Sequence, residues 1–586
     1  MTELALPFVL AFAVALAGTL GCEAIARRAG LVKPPREDRW HRRPVPLLGG
    51  VAILAGVIVP VLVTPGAVSR FGPFLLVALA MGAVGLLDDL RPLPVSARLI
   101  AQIVLAAILV QFGFLLRLTP YPEFNVVLTL FWVVGITNAV NLLDNMDGLA
   151  AGMAVIVAAF RLAFFLMDGD RGGAVLSAIA AGALLGFLAR NFPPAKIFMG
   201  DAGSLFVGFF LSGLCLVGDY AYTRGVTAVV VLPVMLMLIP IFDTTFVTLT
   251  RLLTGRPVSR GGRDHTSHRL VALGISERQA LAFLYTISVL SGLLAILSYR
   301  YGLTYTIVLL ALLLLGLFLL GVYLSQVQVL GGAPGERKRA IVHLVVDFPF
   351  TRHVARVAVD LVLILVAYYT AYLLRFEGDV EGQRDIFLRT VGPVIMLQLL
   401  ALELSGAYRG LWRYTSIPDL LRVVRGTTIG VGGAVLYFVF TTRFEGLSRA
   451  VFVLDWLLLV VLLLGTRASF RLLGELLRPS RAGFRRVLIY GAGDGGVLVL
   501  RELRNNTSLR REPVGFLDDD RSKVGTRIQE VPVLGGLERG EDLLTAHRIE
   551  EVIVASEKIA PERVRALETI CAAHGVAVAR GRVRLE

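Results

Sequence analysis

The sequence predicts a polytopic, all-α membrane protein that ends in a small α/β domain. Hydrophobic residues make up 56% of the 586 residues and charged residues only 17%, whereas about 25% of the residues of a soluble protein are charged. The mean hydropathy is +0.74, and apolar runs long enough to cross a bilayer recur along the chain. From Arg485 onwards, short β-branched strands alternate with polar helices instead. These observations exclude a freely soluble enzyme, a disordered chain and a secreted disulfide scaffold.

The first 326 residues predict a membrane domain of about eleven spans. The apolar runs lie near residues 5–26, 47–64, 72–87, 98–117, 121–137, 149–167, 173–190, 202–218, 226–250, 279–298 and 302–324. The first run contains Glu3 and has no basic segment before it, so it is too long and wrongly flanked for a cleaved signal peptide. We therefore expect residues 1–326 to stay in the membrane as one domain.

The basic charge of the chain fits membrane orientation better than nucleic-acid binding. Lys and Arg number 58 against 44 Asp and Glu, a formal net charge of +14. Many of the basic residues crowd the segment 27–46, directly after the first apolar run. Because basic residues mark cytoplasmic loops, the first helix is predicted to run from outside to inside. The protein is then a multi-pass inner-membrane protein whose polar loop clusters and C-terminal domain face the cytoplasm.

The second half predicts a linker, a membrane bundle and the α/β domain. Residues 327–352 include the polar stretch GGAPGERKR and read as a cytoplasmic linker. Apolar runs near 353–375, 389–406, 425–442 and 449–466 predict a four-helix bundle over 353–470. A Rossmann-like nucleotide-binding domain is expected over 483–586. The three cysteines (Cys22, Cys215 and Cys571) are too scattered for a disulfide framework or a zinc site.

Four clusters of acidic, amide and histidine side chains fall in loops predicted to face the cytoplasm. They are DD (88–89), NAVNLLDNMDGL (138–149), NFPPAKIFMGDAGS (191–204) and DHTSHR (264–269). Any one of them could be solvated loop charge, but four clusters facing one compartment favour a functional site. Carboxylates bind Mg²⁺, which keeps several waters and bridges substrate phosphates. The chemistry that these clusters predict is phosphoryl transfer.

The spacing within two of these clusters is informative. Asn138, Asn141, Asp144 and Asp147 are three residues apart, so adjacent members are neighbours on a helix. In a continuous helix the stripe drifts by about 60° per step, which would wrap it around a ligand. The segment 199–204 places glycines and a hydroxyl at a predicted helix start, where free backbone N–H groups favour phosphate.

Together, the motifs resemble those of the polyprenyl-phosphate N-acetylhexosamine-1-phosphate transferases. The matching elements are HRRPVPLLGG (41–50), DD (88–89), NAVNLLDNMDGL (138–149), NFPPAKIFMGDAGS (191–204) and DHTSHRL (264–270), which span nearly all of residues 1–325. The resemblance implies transfer of HexNAc-1-phosphate, most readily GlcNAc-1-phosphate, from UDP-HexNAc to a polyprenyl phosphate such as undecaprenyl phosphate, with release of UMP. This reaction would initiate a cell-envelope glycan and would use Mg²⁺ or Mn²⁺. A homodimer is also expected, without a nucleic-acid partner.

The resemblance also implies roles for individual residues. Asp201 would be the principal Mg²⁺ ligand, and Asp144 would hold the metal and the donor nucleotide together with Asp147. Asp88 would position or deprotonate the lipid phosphate, with Asp89 beside it. The other predicted substrate contacts are Phe198, which would stack on uracil, and Arg39, His41, Arg42, Asn138, Asn141, Asn191, His265, His268 and Arg269.

Several of these roles have structural alternatives. Phe198 reads equally well as a core aromatic residue, Asp89 as a residue that only orients Asp88, and Asp243 as either a structural carboxylate or a substrate contact. The family loop often reads His-x-His-His-Arg, and Ser267 stands here in place of the second histidine, which leaves the sugar open. The peptidoglycan branch has a threonine-proline-threonine motif where this chain reads PVP (44–46), so the sugar-only transferases are favoured.

The second half has a resemblance of its own. LRFEGDV (374–380), YRGLWRYTS (408–416), RRVLIYGAGDGG (485–496), PVGFLDDDRSKVG (513–525) and VPVLGG (531–536) resemble the membrane and first nucleotide-binding regions of large nucleotide-sugar 4,6-dehydratases. Gly491, Gly493 and Gly496 follow a predicted strand and open a helix, as in the dinucleotide fingerprint. They would bind a nucleotide or nucleotide sugar, although a glycine turn needed only for packing stays open. No Tyr-x-x-x-Lys pair follows, so dehydratase chemistry is not expected.

Two functions from other classes compete with the transferase hypothesis. A transporter or flippase would keep its polar sites near the midplane, often in repeated halves, whereas these carboxylates gather at predicted helix ends. A catalytically inactive, nucleotide-sensing scaffold is disfavoured because the four loop clusters are intact. For the transferase we expect direct attack of the lipid phosphate on the β-phosphorus of the donor, and a two-step route through an aspartyl intermediate stays open.

Overall fold

The computed structural model describes most of the chain and divides it into two compact units. The described residues are 2–33, 44–64, 66, 69–217, 226–257, 262, 264–325, 349–378, 381–408, 417–476, 484–505, 509, 511–555 and 559–580. One unit spans Met1–Arg478 and the other Pro479–Glu586. The predicted linker lies almost wholly outside the described residues. The division between a domain at 1–326 and a bundle at 353–470 stays a prediction, since both fall within the first unit.

The first unit is almost entirely helical, which confirms the predicted polytopic architecture. Its helices are α1 (Thr2–Arg28), α2 (Gly49–Val63), α3 (Gly72–Leu90), α4 (Val95–Gln111), α5 (Pro122–Leu143), α6 (Leu149–Asp168), α7 (Arg171–Asn191), α8 (Gly200–Leu214), α9 (Val226–Leu236), α10 (Leu238–Thr254), α11 (Thr266–Ala272), α12 (Glu277–Tyr301), α13 (Leu303–Ser325), α14 (Pro349–Arg375), α15 (Arg384–Leu404), α16 (Ile417–Thr442) and α17 (Arg449–Leu476). A short antiparallel ribbon pairs β1 (Val32–Lys33) with β2 (Val45–Pro46).

Within the described part of the chain, eleven helices are long and apolar enough to cross a membrane. Helices α2, α4 and α8 are apolar but shorter. The run predicted as one span at 226–250 is not a single straight helix, because α9 and α10 meet there at an angle of 80°. Pro240 lies in the first turn of α10 and lacks the N–H that a continuous helix would donate to the carbonyl of Leu236. The chain therefore turns at this point.

Helix α8 lies at the centre of the first unit. Residues 202–214 are all buried, and the helix packs against α2, α3 and α5. Glycines allow the close approach: a Cβ at Gly50 would lie 2.2 Å from the backbone nitrogen of Gly203, and one at Gly208 would lie 2.8 Å from Cα of Thr137. Small residues let helix backbones pack closely within a membrane. The start of α8 is thereby fixed against its neighbours.

Helices α14–α17 pack as a bundle with polar pairs in its interior. Arg467 Nη2 donates to Asp360 Oδ2 at 2.6 Å, and Gln398 Nε2 donates to Asp455 Oδ2 at 2.6 Å. Each of these four side chains is buried. Polar groups at membrane depth pair with one another, so these contacts tie α14 and α15 to α17.

The second unit is a layered α/β fold, in agreement with the predicted α/β domain. Its strands are β3 (Arg485–Tyr490), β4 (Arg511–Leu517), β5 (Arg527–Ile528), β6 (Val531–Gly535), β7 (Glu551–Val554) and β8 (Ala577–Arg580), and its helices are α18 (Asp494–Asn505), α19 (Gly540–Ala546) and α20 (Pro561–Ala573). The sheet order is β5-β6-β4-β3-β7-β8, parallel except for β5. Strand order reverses between β3 and β7, where open α/β sheets bind ligands.

Candidate active site

The first turn of α8 is capped by a carboxylate from α3. Asp89 Oδ1 accepts the backbone N–H of Asp201 at 3.0 Å, and Asp89 Oδ2 accepts that of Ala202 at 2.9 Å. N–H groups at a helix start attract anions, and here the protein supplies the anion itself. These two donors are therefore occupied, which corrects the expectation that the start of α8 offers them to phosphate.

Backbone contacts hold the same turn in place. Gly200 has a φ of +69°, a conformation that glycine adopts without strain. A Cβ at Gly85 would lie 2.2 Å from the carbonyl oxygen of Asp201. The N–H of Gly50 donates to the carbonyl of Met199 at 2.8 Å. The segment GDAGS (200–204) thus packs between the glycines that begin α2 and the end of α3.

Asn141 joins the end of α5 to the start of α8. Its Nδ2 donates to Asp201 Oδ1 at 2.7 Å and to Ser204 Oγ at 2.8 Å. The Ser204 hydroxyl donates to the carbonyl of Gly200 at 3.0 Å. Among the described residues, Asp201 Oδ2 accepts no hydrogen bond. The structure therefore brings two predicted site residues, Asn141 and Asp201, into contact, and the Asp201 carboxylate is partly exposed.

Asp88 is paired with a cation that the sequence analysis did not single out. Asp88 Oδ1 accepts the N–H of Leu93 at 2.6 Å, and Arg98 Nη1 donates to Asp88 Oδ2 at 2.9 Å. Asp88 is buried, whereas the Arg98 side chain is 27% exposed. The guanidinium is accessible beside the Asp88-Asp89 pair, and guanidinium groups bind phosphate in a bidentate manner.

Asn138 is engaged by a neighbouring helix. Its Nδ2 donates to Gln102 Oε1 at 2.6 Å and to the carbonyl of Val134 at 2.8 Å. Gln102 Nε2 donates in return to Asn138 Oδ1 at 3.3 Å. Both functional atoms of the Asn138 amide thus have partners within the protein, and the pair ties α5 to α4.

The helical stripe predicted over residues 138–147 is wrong beyond its first half. Helix α5 ends at Leu143, and the chain turns at Asp144, whose ψ of 44° is not helical. The next helix begins after Gly148, which has a φ of +76°. Asp144 and Asp147 therefore lie on a loop, because the spacing alone did not register the Asp-Asn-x-Asp-Gly turn.

The loop over residues 144–148 is fastened to the loop that precedes α8. Asp147 Oδ2 accepts the N–H of Ala195 at 2.8 Å. Asn191 Oδ1 accepts the N–H of Gly148 at 3.0 Å, and Asn191 Nδ2 donates to the carbonyl of Ile197 at 2.9 Å. The amide of Asn191 is thus used by backbone groups on both loops. Asn191 is 2% exposed, which supports a positioning role.

Phe198 packs in a small apolar cluster. The cluster also contains Val45, Leu47 and Ala195, and Phe198 is 9% exposed. Its backbone N–H donates to the carbonyl of Pro46 at 2.9 Å. This environment favours the core-aromatic alternative over stacking on uracil.

The histidine loop is organised by an ion pair at its start. Arg251 Nε and Nη2 donate to the two carboxylate oxygens of Asp264, both at 2.7 Å. Burial alone would raise the pKa of Asp264, but the hydrogen bond and charge of Arg251 outweigh it and hold that pKa below its ordinary value. This bidentate pair fixes the entry into α11.

Three further contacts fix α11. His265 Nδ1 lies 2.7 Å from Asp243 Oδ2, and the Ser267 hydroxyl donates to Asn145 Oδ1 at 2.6 Å. Arg269 Nη1 donates to the carbonyl of Leu324 at 2.9 Å. Arg269 thus ties α11 to the end of α13, a structural contact where the resemblance implied a substrate contact.

The remaining predicted contacts of the first half are His268, Arg39, His41 and Arg42. His268 is buried, and its ring centroid lies 6.3 Å from that of His265, edge to face. Arg39, His41 and Arg42 lie outside the described residues. Their predicted roles stay predictions.

The glycine turn of the second unit is bonded to a carboxylate, that of Asp518. Gly491 has a φ of +105°, and a Cβ at Gly496 would lie 1.9 Å from the Gly491 carbonyl oxygen; open space surrounds Gly493. Asp518 Oδ2 accepts the N–H of Ala492 at 2.7 Å. Burial alone would raise the pKa of Asp518, but hydrogen bonds from backbone N–H groups and from Lys523 hold it below its ordinary value. Two of the three glycines are thus required by the backbone alone.

Comparison with known proteins identifies the first half. The model of glycosyl transferase family 4 matches residues 72–219. A "probable undecaprenyl-phosphate N-acetylglucosaminyl 1-phosphate transferase" of Bacillus subtilis is 35% identical over 317 residues, which cover 85% of that protein and 50% of this chain. The chain belongs to the family of polyprenyl-phosphate N-acetylglucosamine-1-phosphate transferases. The decaprenyl-phosphate N-acetylglucosaminephosphotransferase of Mycolicibacterium smegmatis is 35% identical over 323 residues, 79% of that protein and 49% of this chain.

The second half matches different proteins. A CoA-binding domain model matches residues 403–579, which include the last two bundle helices and most of the α/β unit. A "probable polysaccharide biosynthesis protein" of Bacillus subtilis is 29% identical over 224 residues, 37% of that protein and 38% of this chain. These matches do not confirm the resemblance to dehydratases. The transferase family therefore accounts for about half of the chain.

The polar residues around Asp201 fit a divalent cation that takes few ligands from the protein and most of its ligands from substrate phosphates and water. Among the described residues, no group of three or more His, Cys, Asp or Glu side chains is arranged to hold a metal ion. Mg²⁺ needs fewer, because it is commonly bound through one or two carboxylates together with water and substrate phosphates. The second oxygen of Asp201 is a hard ligand of that kind.

Sequence reasoning missed four residues that shape the transferase site: Arg98, Gln102, Asn145 and Arg251. Arg98, Gln102 and Arg251 are polar and lie within or directly beside an apolar run, a signal that was present in the sequence. Asn145 lies inside the motif NAVNLLDNMDGL. Arg98 and Gln102 both fall in the run predicted to begin at residue 98. They were overlooked because neither belongs to a recognised motif.

Proposed function

We propose that this chain transfers HexNAc-1-phosphate, in the first instance GlcNAc-1-phosphate, from UDP-HexNAc to a polyprenyl phosphate, with release of UMP. The observation that carries the proposal is the convergence of α2, α3 and α5 on the start of α8. There Asn141 and Asp89 hold Asp201, and Asp88, the neighbour of Asp89, pairs with Arg98. The lipid phosphate and the N-acetylglucosamine phosphate group are those in the names of the relatives of the first half, and the UDP donor is the one that the motif resemblance implies. The reaction would initiate a cell-envelope glycan.

Arg98 and Asp88 are the residues that we assign to the lipid phosphate. Arg98 would bind the phosphate oxygens, and Asp88 holds the guanidinium in place through Oδ2. A phosphate monoester is already anionic at neutral pH, so it needs positioning and charge neutralisation more than a strong base. The role in positioning the lipid phosphate, which was predicted for Asp88, would thus be shared with Arg98.

The transfer step we propose is a direct displacement at phosphorus. An oxygen of the lipid phosphate forms a bond to the β-phosphorus of the donor, and the bond from that phosphorus to the bridging oxygen breaks. UMP leaves with the bridging oxygen and its electron pair. Asp89 would not be a nucleophile, because both of its oxygens accept backbone hydrogen bonds.

Asp201 and Asp144 are the residues that would hold Mg²⁺ or Mn²⁺. When bound, the ion would neutralise charge on the donor diphosphate. Asn141 orients Asp201 by occupying Oδ1, and Asp147 and Asn191 hold the loop that carries Asp144. Asp201 and Asp144 would thus contact the ion. Asn141, Asp147 and Asn191 would position these two residues.

We further propose that the protein is a homodimer in the inner membrane with its transferase site and α/β unit in the cytoplasm. The second unit would bind a nucleotide or nucleotide sugar at Gly491–Gly496. The proposed nucleotide binding is supported by the position of the glycine turn between β3 and α18, near the reversal of strand order. This binding would regulate or stabilise the transferase, without dehydratase chemistry.

The transferase proposal is tested with purified full-length protein in detergent. The protein is given undecaprenyl phosphate, Mg²⁺ and each of a panel of UDP-sugars, and UMP release is measured. We expect release only when the lipid phosphate and the divalent cation are both present. Release of UMP without the lipid, or none with any UDP-HexNAc, would contradict the proposal.

A further inference from the structure

One buried carboxylate joins the bent membrane helix to the histidine loop. Asp243 Oδ2 lies 2.7 Å from His265 Nδ1, and Asp243 Oδ1 accepts the backbone N–H of Thr266 at 2.7 Å. Asp243 is 2% exposed and His265 is 4% exposed. Both oxygens of Asp243 are thus engaged by two consecutive residues, which favours an internal role for Asp243 over a direct substrate contact.

This contact determines which ring nitrogen of His265 carries a proton. A carboxylate only accepts hydrogen bonds, so Nδ1 must be the protonated nitrogen. In the neutral ring, Nε2 is then an acceptor, and in the imidazolium it is a donor. Among the described residues, Nε2 makes no hydrogen bond. It is the atom of this ring that is left for a ligand.

Charged neighbours of His265 are themselves engaged within the protein. Asp264 is bound by Arg251, and Arg269 donates to the carbonyls of Asp264 and Leu324. The ring of His268 lies edge to face against that of His265. The family resemblance assigns His265, His268 and Arg269 of this loop to the donor diphosphate. Of these, Arg269 instead makes contacts within the protein.

The position of His265 relative to the transferase site is fixed by a neighbouring contact. Ser267, two residues further on, donates to Asn145, which directly follows Asp144. The loop that holds our proposed metal ligand and the start of α11 are therefore in contact. Asp243 and Ser267 together hold His265 against the part of the site that would receive the donor phosphates.

We propose that Asp243 is a positioning residue that keeps His265 in the Nδ1–H tautomer, so that Nε2 faces the phosphates of the donor. This inference rests on the transferase function proposed above. The sequence motifs do not link Asp243 to His265. From sequence, Asp243 was only a structural carboxylate or a substrate contact.

Asp243→Asn separates this role from simple packing. Asparagine has the same size and one carbonyl oxygen, which can keep the hydrogen bond from the Thr266 N–H. Its NH₂ group then faces Nδ1 and donates to it, so the proton moves to Nε2. The buried volume and the loop contact survive while the tautomer is reversed. In a serine protease triad the equivalent change lowers kcat by about 10⁴-fold.

The experiment compares Asp243→Asn, His265→Ala and the double variant in the full-length protein. Asp385→Asn, an exposed residue of α15, is the matched control. We expect Asp243→Asn to lower kcat by about 100-fold or more, with KM for UDP-GlcNAc changed by less than about threefold. In the His265→Ala background the same substitution should cost less than about threefold, because Asp243 acts through the ring. An equal loss in both backgrounds would overturn the proposal.

A second readout does not depend on activity. The ¹⁵N spectrum of protein labelled at histidine reports the tautomer, and the His265 signals are assigned by their loss in His265→Ala. We expect Nδ1–H in the unmodified protein and Nε2–H in Asp243→Asn. The same tautomer in both would overturn the proposal even if the protein were active. If no UDP-sugar is consumed, the proposed function fails, and the spectrum still decides the inference.

Discussion

Buried polar side chains serve different purposes in the two halves of the membrane unit. In the bundle, Asp360 pairs with Arg467 and Gln398 pairs with Asp455, side chain to side chain across helices. Around the start of α8, side-chain pairs such as Asn141–Asp201 are joined by contacts to the backbone, which Asp89 and Asn191 make. Contacts between side chains fix how helices pack, whereas contacts to the backbone fix how a loop is shaped. At the start of α8 both kinds of contact occur, and one oxygen of Asp201 is left without a hydrogen bond among the described residues.

This comparison predicts that the two halves fail differently when a polar residue is removed. A bundle residue should affect folding and leave the chemistry of the folded protein unchanged. A residue at the start of α8 should affect turnover, because Asp201 keeps one oxygen without a protein partner among the described residues.

The largest effect is expected in the bundle. Asp360→Leu leaves Arg467 without its carboxylate in a buried site, which costs about 3–5 kcal/mol. The double variant Asp360→Leu/Arg467→Leu should recover most of that loss, because a buried pair can be replaced by apolar residues at little cost. Thermal unfolding in detergent measures both variants. If the single and double variants were equally unstable, the unpaired charge of Arg467 would not be the cause of the lost stability.

Asp201→Asn should lower kcat by about 10²–10³-fold, the scale for removing one electrostatic element of an active site. The amide keeps the size of the side chain and the contacts of α8, so the unfolding temperature should stay close to that of the unmodified protein. UMP release measures the first quantity, with Asp385→Asn as the matched control. Near-normal turnover would refute the assignment of Asp201 as the metal ligand.

Phe198→Ala separates packing from stacking. If the ring serves the apolar cluster with Val45 and Leu47, its loss should lower the free energy of unfolding by about 1–3 kcal/mol. Phe198→Leu should then restore most of the stability and activity. A variant of normal stability whose KM for UDP-GlcNAc is raised would instead support stacking on uracil.

Much of this arrangement was predictable from sequence, because charge stands out in an apolar chain. Asp88, Asn141 and Asp201 were singled out in this way, and the structure places them at the ends of adjoining helices. Which carboxylate binds which backbone group was not predictable: Asp89 and Ala202 are 113 positions apart, and their contact depends on how α3 and α8 pack. Local motifs do not contain that information.

Two errors had local causes. The end of α5 at Leu143 was missed because a spacing of three was extended through a turn sequence. The bend between α9 and α10 was missed because Pro240 was read as part of an apolar run, although proline removes a hydrogen bond from a helix interior. In both places, the residues that break a helix were present in the sequence.

The smallest effect on transfer is expected in the α/β unit. Gly496→Ala places a Cβ against the Gly491 carbonyl and should disrupt the glycine turn and any nucleotide binding there. The choice of UDP-sugar that supports UMP release should stay unchanged, since the transferase site lies in the other unit. Asp542→Asn, at an exposed residue of α19, is the matched control. Formation of a 4-keto-6-deoxy sugar from UDP-GlcNAc and NAD by the unmodified protein would overturn the assignment of this unit.

The central claim is that the chain transfers a sugar phosphate, and the fate of the donor β-phosphate tests it most directly. Full-length protein is incubated with undecaprenyl phosphate, Mg²⁺ and UDP-GlcNAc that carries ³²P in the β position. We predict that the label enters the lipid fraction in a one-to-one ratio with the UMP released, and that Asp201→Asn lowers the rates of both by about 10²–10³-fold. Release of labelled UDP, or recovery of intact UDP-GlcNAc with unlabelled lipid, would contradict this account.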